Sequence, residues 1–189
     1  MPKVPYKTSK STLTVNINQP YKNEINALTG WLPAYPGIDD AQGVEWIPLV
    51  TTNGIPDPQV LHPSVRFDGP MQPTAALLST TRLINAWTVL GIPYDNAKLI
   101  KILPGGILPR MECSTRNNYW RDRMRVYVMI QSDANVNWDW DGEPKTFLTG
   151  EVHIVHQGLY HSAINNGTQD CIYLLADIPL TESDRILSL

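Results

Sequence analysis

Across residues 123–131 the side chains alternate strictly. Met124, Val126, Val128 and Ile130 fall on one side, and Arg125, Tyr127 and Met129 on the other. A period of two predicts a β-strand with two distinct faces. The same kind of signal recurs in short pieces at Glu45–Val50, Lys98–Leu103, Ile107–Ser114, Phe147–Leu148, Glu151–Val155, Ser162–Ile164 and Ile172–Asp177. Pro104-Gly105-Gly106 reads as a turn between the second and third of these. The period changes over residues 74–90, where Ala76, Leu77, Leu83, Ile84, Trp87 and Leu90 form a stripe at helical spacing. Thr74 is placed to cap this helix, and Gly91 with Pro93 is placed to stop it. Residues 30–73 are dense in Pro and Gly and predict an irregular packed layer. Residues 133–142, DANVNWDWDG, read as a polar turn region carrying two tryptophans. Many short strands with Gly and Asn turns at intervals of roughly 8–12 residues imply a sandwich or barrel. One helix packed on it makes the class α+β, mainly β.

Composition narrows the picture without giving a function. At 189 residues the chain is one domain's worth of sequence, with residues 1–40 read as an N-terminal arm and irregular layer. A hydrophobic fraction of 42% and a charged fraction of 17% exclude a disordered chain, a coiled coil and a highly charged nucleic-acid tail. The formal net charge of −3 and the lack of any named motif argue against nucleic-acid binding. There is no apolar run of signal-peptide or membrane-span length, which predicts a soluble protein, cytoplasmic or held within an assembled particle. Two cysteines, Cys113 and Cys171, are too few for a disulfide scaffold and are expected as free thiols. Lys3, Lys7, Lys10 and Lys22 give the first 22 residues a basic character, suited to solvent or to an acidic docking partner.

Two clusters carry candidate chemistry. His153, His156 and His161 lie within nine residues, and imidazoles are metal ligands. A spacing of three puts His153 and His156 on opposite faces of a strand, which argues against joint chelation. Arg110, Arg116, Arg121, Arg123 and Arg125 form the second cluster. Guanidinium groups pair carboxylates and phosphates in bidentate fashion, so Arg110 and Arg125 are anion-binding candidates. The alternatives are a surface histidine cluster and a solvated or interfacial arginine face. No GxSxG, P-loop, GxGxxG or HExxH occurs.

The order of the pieces resembles the aspartyl/asparaginyl β-hydroxylase family over roughly residues 40–180. WIPLV at 46–50, PTAALLSTTRLINAW, KLIKILPGGILP, RVYVMIQSD at 125–133 and the closing stretch DGEPKTFLTGEVHIVHQGLYHSAINNGTQDCIYLLADI carry the likeness. The resemblance implies a double-stranded β-helix, that is, a jelly-roll or cupin-like barrel. It also implies Fe(II)- and 2-oxoglutarate-dependent hydroxylation, with a His-x-Asp pair and a distal His on the iron.

Here the sequence departs from the pattern. His161 stands at the distal position. The His-x-Asp position reads Arg110-Met111-Glu112, and arginine does not give up its proton to ligate a metal. The basic residue expected ten after the distal His is Cys171, and the histidine of the RxH strand is Tyr127, with Arg125 retained. The resemblance therefore implies a hydroxylase-like jelly roll that has lost catalysis and serves as a binding or structural subunit. Protein partners or self-assembly are expected, a viral or phage particle being one such setting, with no cofactor. The competing expectation is an active hydroxylase of a peptide or amino-acid side chain. It would use His161 and Glu112 as metal ligands and Arg125 toward 2-oxoglutarate; His153 or His156 would be replacement donors.

Overall fold

The computed structural model describes residues 9–34, 40–54, 70–90, 96–111, 123–155 and 159–179. Its centre is β5, Ala97–Met111, which carries one continuous eleven-stranded sheet around from a larger half, the larger sheet, to a smaller half, the smaller sheet. Residues 97–102 pair with β11, Cys171–Pro179, and residues 107–111 pair with β10, His161–Asn165. From β11 the larger sheet continues through β6, Arg123–Gln131, and β9, Glu151–Val155, to β1, Ser9–Thr14, at its edge. On the other side of β5 it is extended by β3, Gln42–Thr52, which also pairs β2, Leu32–Pro33, and β4, Met71–Pro73. The smaller sheet runs from β5 through β10 and β7, Val136–Trp140, to β8, Glu143–Lys145. All pairings are antiparallel.

Counting the two halves of β5 as separate strands and then following β6 to β11 gives eight strands, ordered 1-8-3-6 in one sheet and 2-7-4-5 in the other. That is the interleaved order of a jelly roll. The class expected from the sequence, mainly β with a double-stranded β-helix barrel, is the class observed.

The two sheets differ in how they meet water. The larger one is covered on both faces, so β6 and β11 are buried almost end to end. On its outer face Met124, Val126, Val128, Ile130, Leu99, Leu174 and their neighbours form one core with residues of the helices. On its inner face Tyr127, Met129, Ile100, Tyr173 and Leu175 form a second core against Trp138, Trp140 and Ala163 of the smaller sheet. The alternation read at 123–131 is thus a division between two cores, not between core and solvent. The smaller sheet does alternate with water: Val136, Trp138 and Trp140 are buried and Asn137 exposed.

Several local expectations are corrected. Pro104-Gly105-Gly106 does not end a strand. β5 runs through it because β3 keeps pairing on both sides, Val44 with Ile102 and Gln42 with Ile107. Gly105 has φ +75°, a left-handed conformation, and a Cβ on Gly106 would stand 2.7 Å from the Leu103 carbonyl oxygen and 2.8 Å from that of Gly43.

The single helix expected over 74–90 is two helices, α2 at Ala75–Leu78 and α3 at Thr81–Leu90. The Ser79 and Thr80 hydroxyls bond back to the Ala76 and Leu77 carbonyls and stop the first helix there. Thr74 is the N-cap, accepting from Leu77 N–H, and its hydroxyl donates to the Pro48 carbonyl of β3, which docks the helix on the sheet. A further helix, α1 at Gln19–Asn26, lies in the stretch read as an arm. Asn18 caps it, Pro20 sits in its first turn, and Tyr21 and Ile25 enter the outer core. The turn region 133–142 contains strand β7, and the expected strand at Phe147–Leu148 is displaced to β8. Trp87 and Leu90 belong to α3, but their side chains lie outside the described residues.

Candidate functional site

His161 opens β10, between Met111 of β5 and Trp140 of β7. Its ring stacks on Trp140 at 4.7 Å and 9°, and it is buried. Nδ1 lies 3.1 Å from the Leu159 carbonyl oxygen, so a neutral ring donates its Nδ1–H there and keeps the lone pair on Nε2. Burial pushes the imidazole pKa down to about 4. The charge of Arg125 pushes the same way, while the bond to Leu159 opposes both. At neutral pH this is an uncharged acceptor.

That shift gives the first testable outcome. Above pH 6.5 His161 is neutral whether folded or unfolded. Between 6.5 and 4 the unfolded chain takes up a proton that the folded chain refuses, so stability falls as pH falls through that window. The slope approaches about 1.4 kcal/mol per pH unit. Urea midpoints measured across the window should show a shallower fall in His161→Gln than in the wild type. Parallel profiles would contradict the assignment.

The register sets Met111 opposite His161, and Arg110 is the residue before it. Arg110 is exposed, and its guanidinium carbon sits 4.6 Å over the ring of Tyr160, itself 42% exposed. The residue at the first position of the expected His-x-Asp pair is thus a cation on an aromatic face at the rim. Glu112, the proposed second ligand, lies outside the described residues, as do His156, Cys113, Arg116 and Arg121.

Arg125 points into the same interior, and the carboxylate it meets is the protein's own. Nε donates to Asp177 at 2.7 Å and Nη2 at 3.3 Å, across the β6–β11 pair. Asn96 Nδ2 adds a bond of 3.1 Å to the same carboxylate. Lys98, also buried, lies 5.8 Å from the Trp46 ring centre.

The interior between these groups is filled with rings. Trp138 lies 5.9 Å from Tyr127, 5.4 Å from Tyr173 and 5.1 Å from Phe147, and Tyr127 lies 5.0 Å from Tyr173. Tyr127 occupies the position where the resemblance expects a histidine. His153 is a member of this packing. Its ring stacks on Phe147 at 4.0 Å, and Nε2 lies 2.9 Å from Glu151 Oε2. Among the described residues no group of three or more His, Cys, Asp or Glu side chains is arranged to hold a metal ion.

Cys171 is free and buried, with its thiol 3.8 Å from the Ser132 hydroxyl. Burial pushes its pKa up to about 12, so it is almost wholly protonated at neutral pH. Iodoacetamide should leave Cys171 unmodified in the native protein and label it in urea, read by peptide mass mapping. Labelling in the native state would mean that the end of β11 opens.

Sequence reasoning missed the tryptophans as site-shaping residues. NVNWDW at 135–140 alternates polar with Val136, Trp138 and Trp140, which is a strand signal once the acidic and amide residues are read as a solvent face. No helix among the described residues is long and apolar enough to cross a membrane.

No protein-family model and no curated protein matches the chain. Among solved structures it is similar to KdgF from Halomonas sp., at 9% identity and TM-score 0.39, over 88% of this chain and 93% of that one. It is similar to the non-heme monooxygenase ThoJ in a nickel complex, at 15% and 0.40, over 56% and 54% of the two chains. The cupin domain of Schizosaccharomyces pombe Cnp3 is matched at 15% and 0.37 over 48% of this chain and 61% of that domain, less than two thirds of its length. The jelly-roll assignment rests on the strand order described above and not on these distant likenesses.

Proposed function

We propose that this chain is a jelly-roll domain of the aspartyl/asparaginyl β-hydroxylase type that has lost catalysis and acts by binding or assembly. The observation that carries the reading is the state of the barrel end around His161. Met111 faces it in register, the neighbouring Arg110 is an exposed cation resting on Tyr160, and Tyr127, Trp138, Trp140, Tyr173 and Phe147 pack the interior. A divalent iron would meet one neutral imidazole there, with the Arg125 charge acting on that same ring, and Coulomb repulsion as well as a missing donor opposes its retention. Among the described residues the donor set does not fit such a centre. Arg125, the residue retained from the family pattern, is occupied by Asp177.

The test is anaerobic calorimetry of Fe(II) with 2-oxoglutarate present. No stoichiometric uptake is expected. Stoichiometric uptake that disappears in His161→Ala, together with 2-oxoglutarate decarboxylation, would overturn the reading. It would favour the alternative of an active hydroxylase using His161, Glu112 and Arg125. One observation favours that alternative: the Leu159 bond fixes the imidazole with Nε2 as the free lone pair, as in many ligating histidines. For the assembly reading, mass photometry of the purified chain should show a discrete oligomer or larger particle, and a strict monomer would leave binding of another molecule as the remaining role.

A further inference from the structure

A cavity among the described residues lies away from His161. On β6, Gln131 is six residues beyond Arg125, about 20 Å along the strand. There the end of β6, the start of β11 and Lys101 of β5 meet the loop after α1 around a cavity of about 420 Å³. This is within the range of roughly 300–1,000 Å³ typical of small-molecule sites. Asn26, Trp31, Lys101, Gln131, Gln169 and Asp170 line it. A recess of about 50 Å³ adjoins it and shares Gln131, Gln169 and Asp170, adding Lys22 and Asp133.

The walls are held in place. Asn165 Nδ2 donates to the Ile102 and Gln169 carbonyls, and Asn165 Oδ1 accepts from Gly167 N–H, which pins the β10–β11 turn. Gln131 Nε2 donates to the Asp170 carbonyl at 2.8 Å. The Trp31 indole N–H donates to the Leu28 carbonyl, and Lys101 lies 4.0 Å over the ring while pairing Glu45 at 2.8 Å. A site built on fixed walls loses little entropy on binding.

Its chemistry is mixed in sign and direction. Lys101 is paired with Glu45, and Lys22 shares the recess with Asp133 and Asp170, so the charge gives no purchase to an anion. The Asn26 and Gln169 amides each both donate and accept, the Asp170 carboxylate accepts, and the ammonium groups donate. Trp31 supplies the apolar wall. A ligand whose groups both donate and accept, with no net charge and with apolar C–H faces, matches this set, and a hydroxyl is such a group. We infer that this cavity binds a neutral polyhydroxylated ligand of the saccharide class. The site is independent of the barrel end around His161 and stands or falls separately from the loss of catalysis there.

The test uses the full chain and a set of neutral sugars (glucose, galactose, mannose, N-acetylglucosamine, maltose and cellobiose), with inorganic phosphate as the charged probe. Saturation-transfer NMR reports contact, and tryptophan fluorescence reports affinity. At least one sugar should bind saturably at millimolar concentration. Gln169→Ala and Asp170→Asn should each weaken it about tenfold, the effect of losing one well-placed hydrogen bond. Gln169 is exposed in a turn, so its variant should keep the wild-type melting temperature. Three results would overturn the inference: no saturable binding by any of the sugars, binding undiminished in both variants, or a site that prefers phosphate.

Discussion

Asp177→Ala should destabilise the fold by about 3–5 kcal/mol, the cost of stranding a buried charge by removing its partner. The Asp177 side chain is fully buried and that of Arg125 is 7% exposed. Two guanidinium N–H groups and the Asn96 amide converge on the carboxylate. Without it, a guanidinium is left inside the barrel with its main counter-charge gone. For a chain of this size each kcal/mol moves the melting temperature by about 2–4 °C, so a fall of roughly 6–20 °C is expected. The informative companion is the double replacement Arg125→Met with Asp177→Leu. Removing both charges should restore much of the loss, because a buried pair repays little beyond its own desolvation. Thermal melts of the three variants decide it. A double variant no better than Asp177→Ala would mean that Arg125 holds the barrel end together through more than this pair.

Trp138→Ala should cost a similar amount, about 3–5 kcal/mol, by opening a cavity at the junction of the rings that fill the barrel. Trp138 is nearly fully buried and contacts Tyr127, Trp140, Phe147 and Tyr173. Its indole N–H has no hydrogen-bond partner among the described residues, as is also true of Trp46 and Trp140. Trp138→Phe should therefore cost well under half as much, since it keeps an aromatic ring and discards a donor that gains nothing. Urea unfolding of the pair separates the two contributions. A phenylalanine variant as unstable as the alanine one would show that the N–H has a partner after all, such as an ordered water.

The strands were legible where the chain repeats at a period of two, and β6 is the clearest case. Its bounds, and the division of its side chains into two sets, follow from the sequence alone. What those two sets face does not. Arg125, Tyr127 and Met129 point into the barrel, because helices assembled from distant residues cover the opposite side. β7 was hidden for the converse reason: its Asn and Asp residues suggest a turn, and only the solvent-facing outside of the smaller sheet makes them a strand. The break between α2 and α3 turns on two hydroxyls in Ser79-Thr80, a local competition that the apolar stripe does not register. α1 was masked by the basic residues around it, although Asn18 and Pro20 are a start signal.

At the site, the sequence placed His161 and Arg110 at related positions, and the register of β10 on β5 sets His161 against Met111, the residue after Arg110. Pairing of Arg125 with Asp177 was out of reach, since 52 residues separate them and nothing local marks their meeting.

The strand that completes the larger sheet is a late one in chain order. β11 sits between β5 and β6, so before it is made those two strands have no neighbour on the sides where it will lie. During synthesis on the ribosome, a nascent chain that has already emerged through β10 presents two unpaired apolar strand edges and an open barrel. Such edges recruit other strands. The interval before residues 171–179 join the sheet is thus the one in which these edges are open to association.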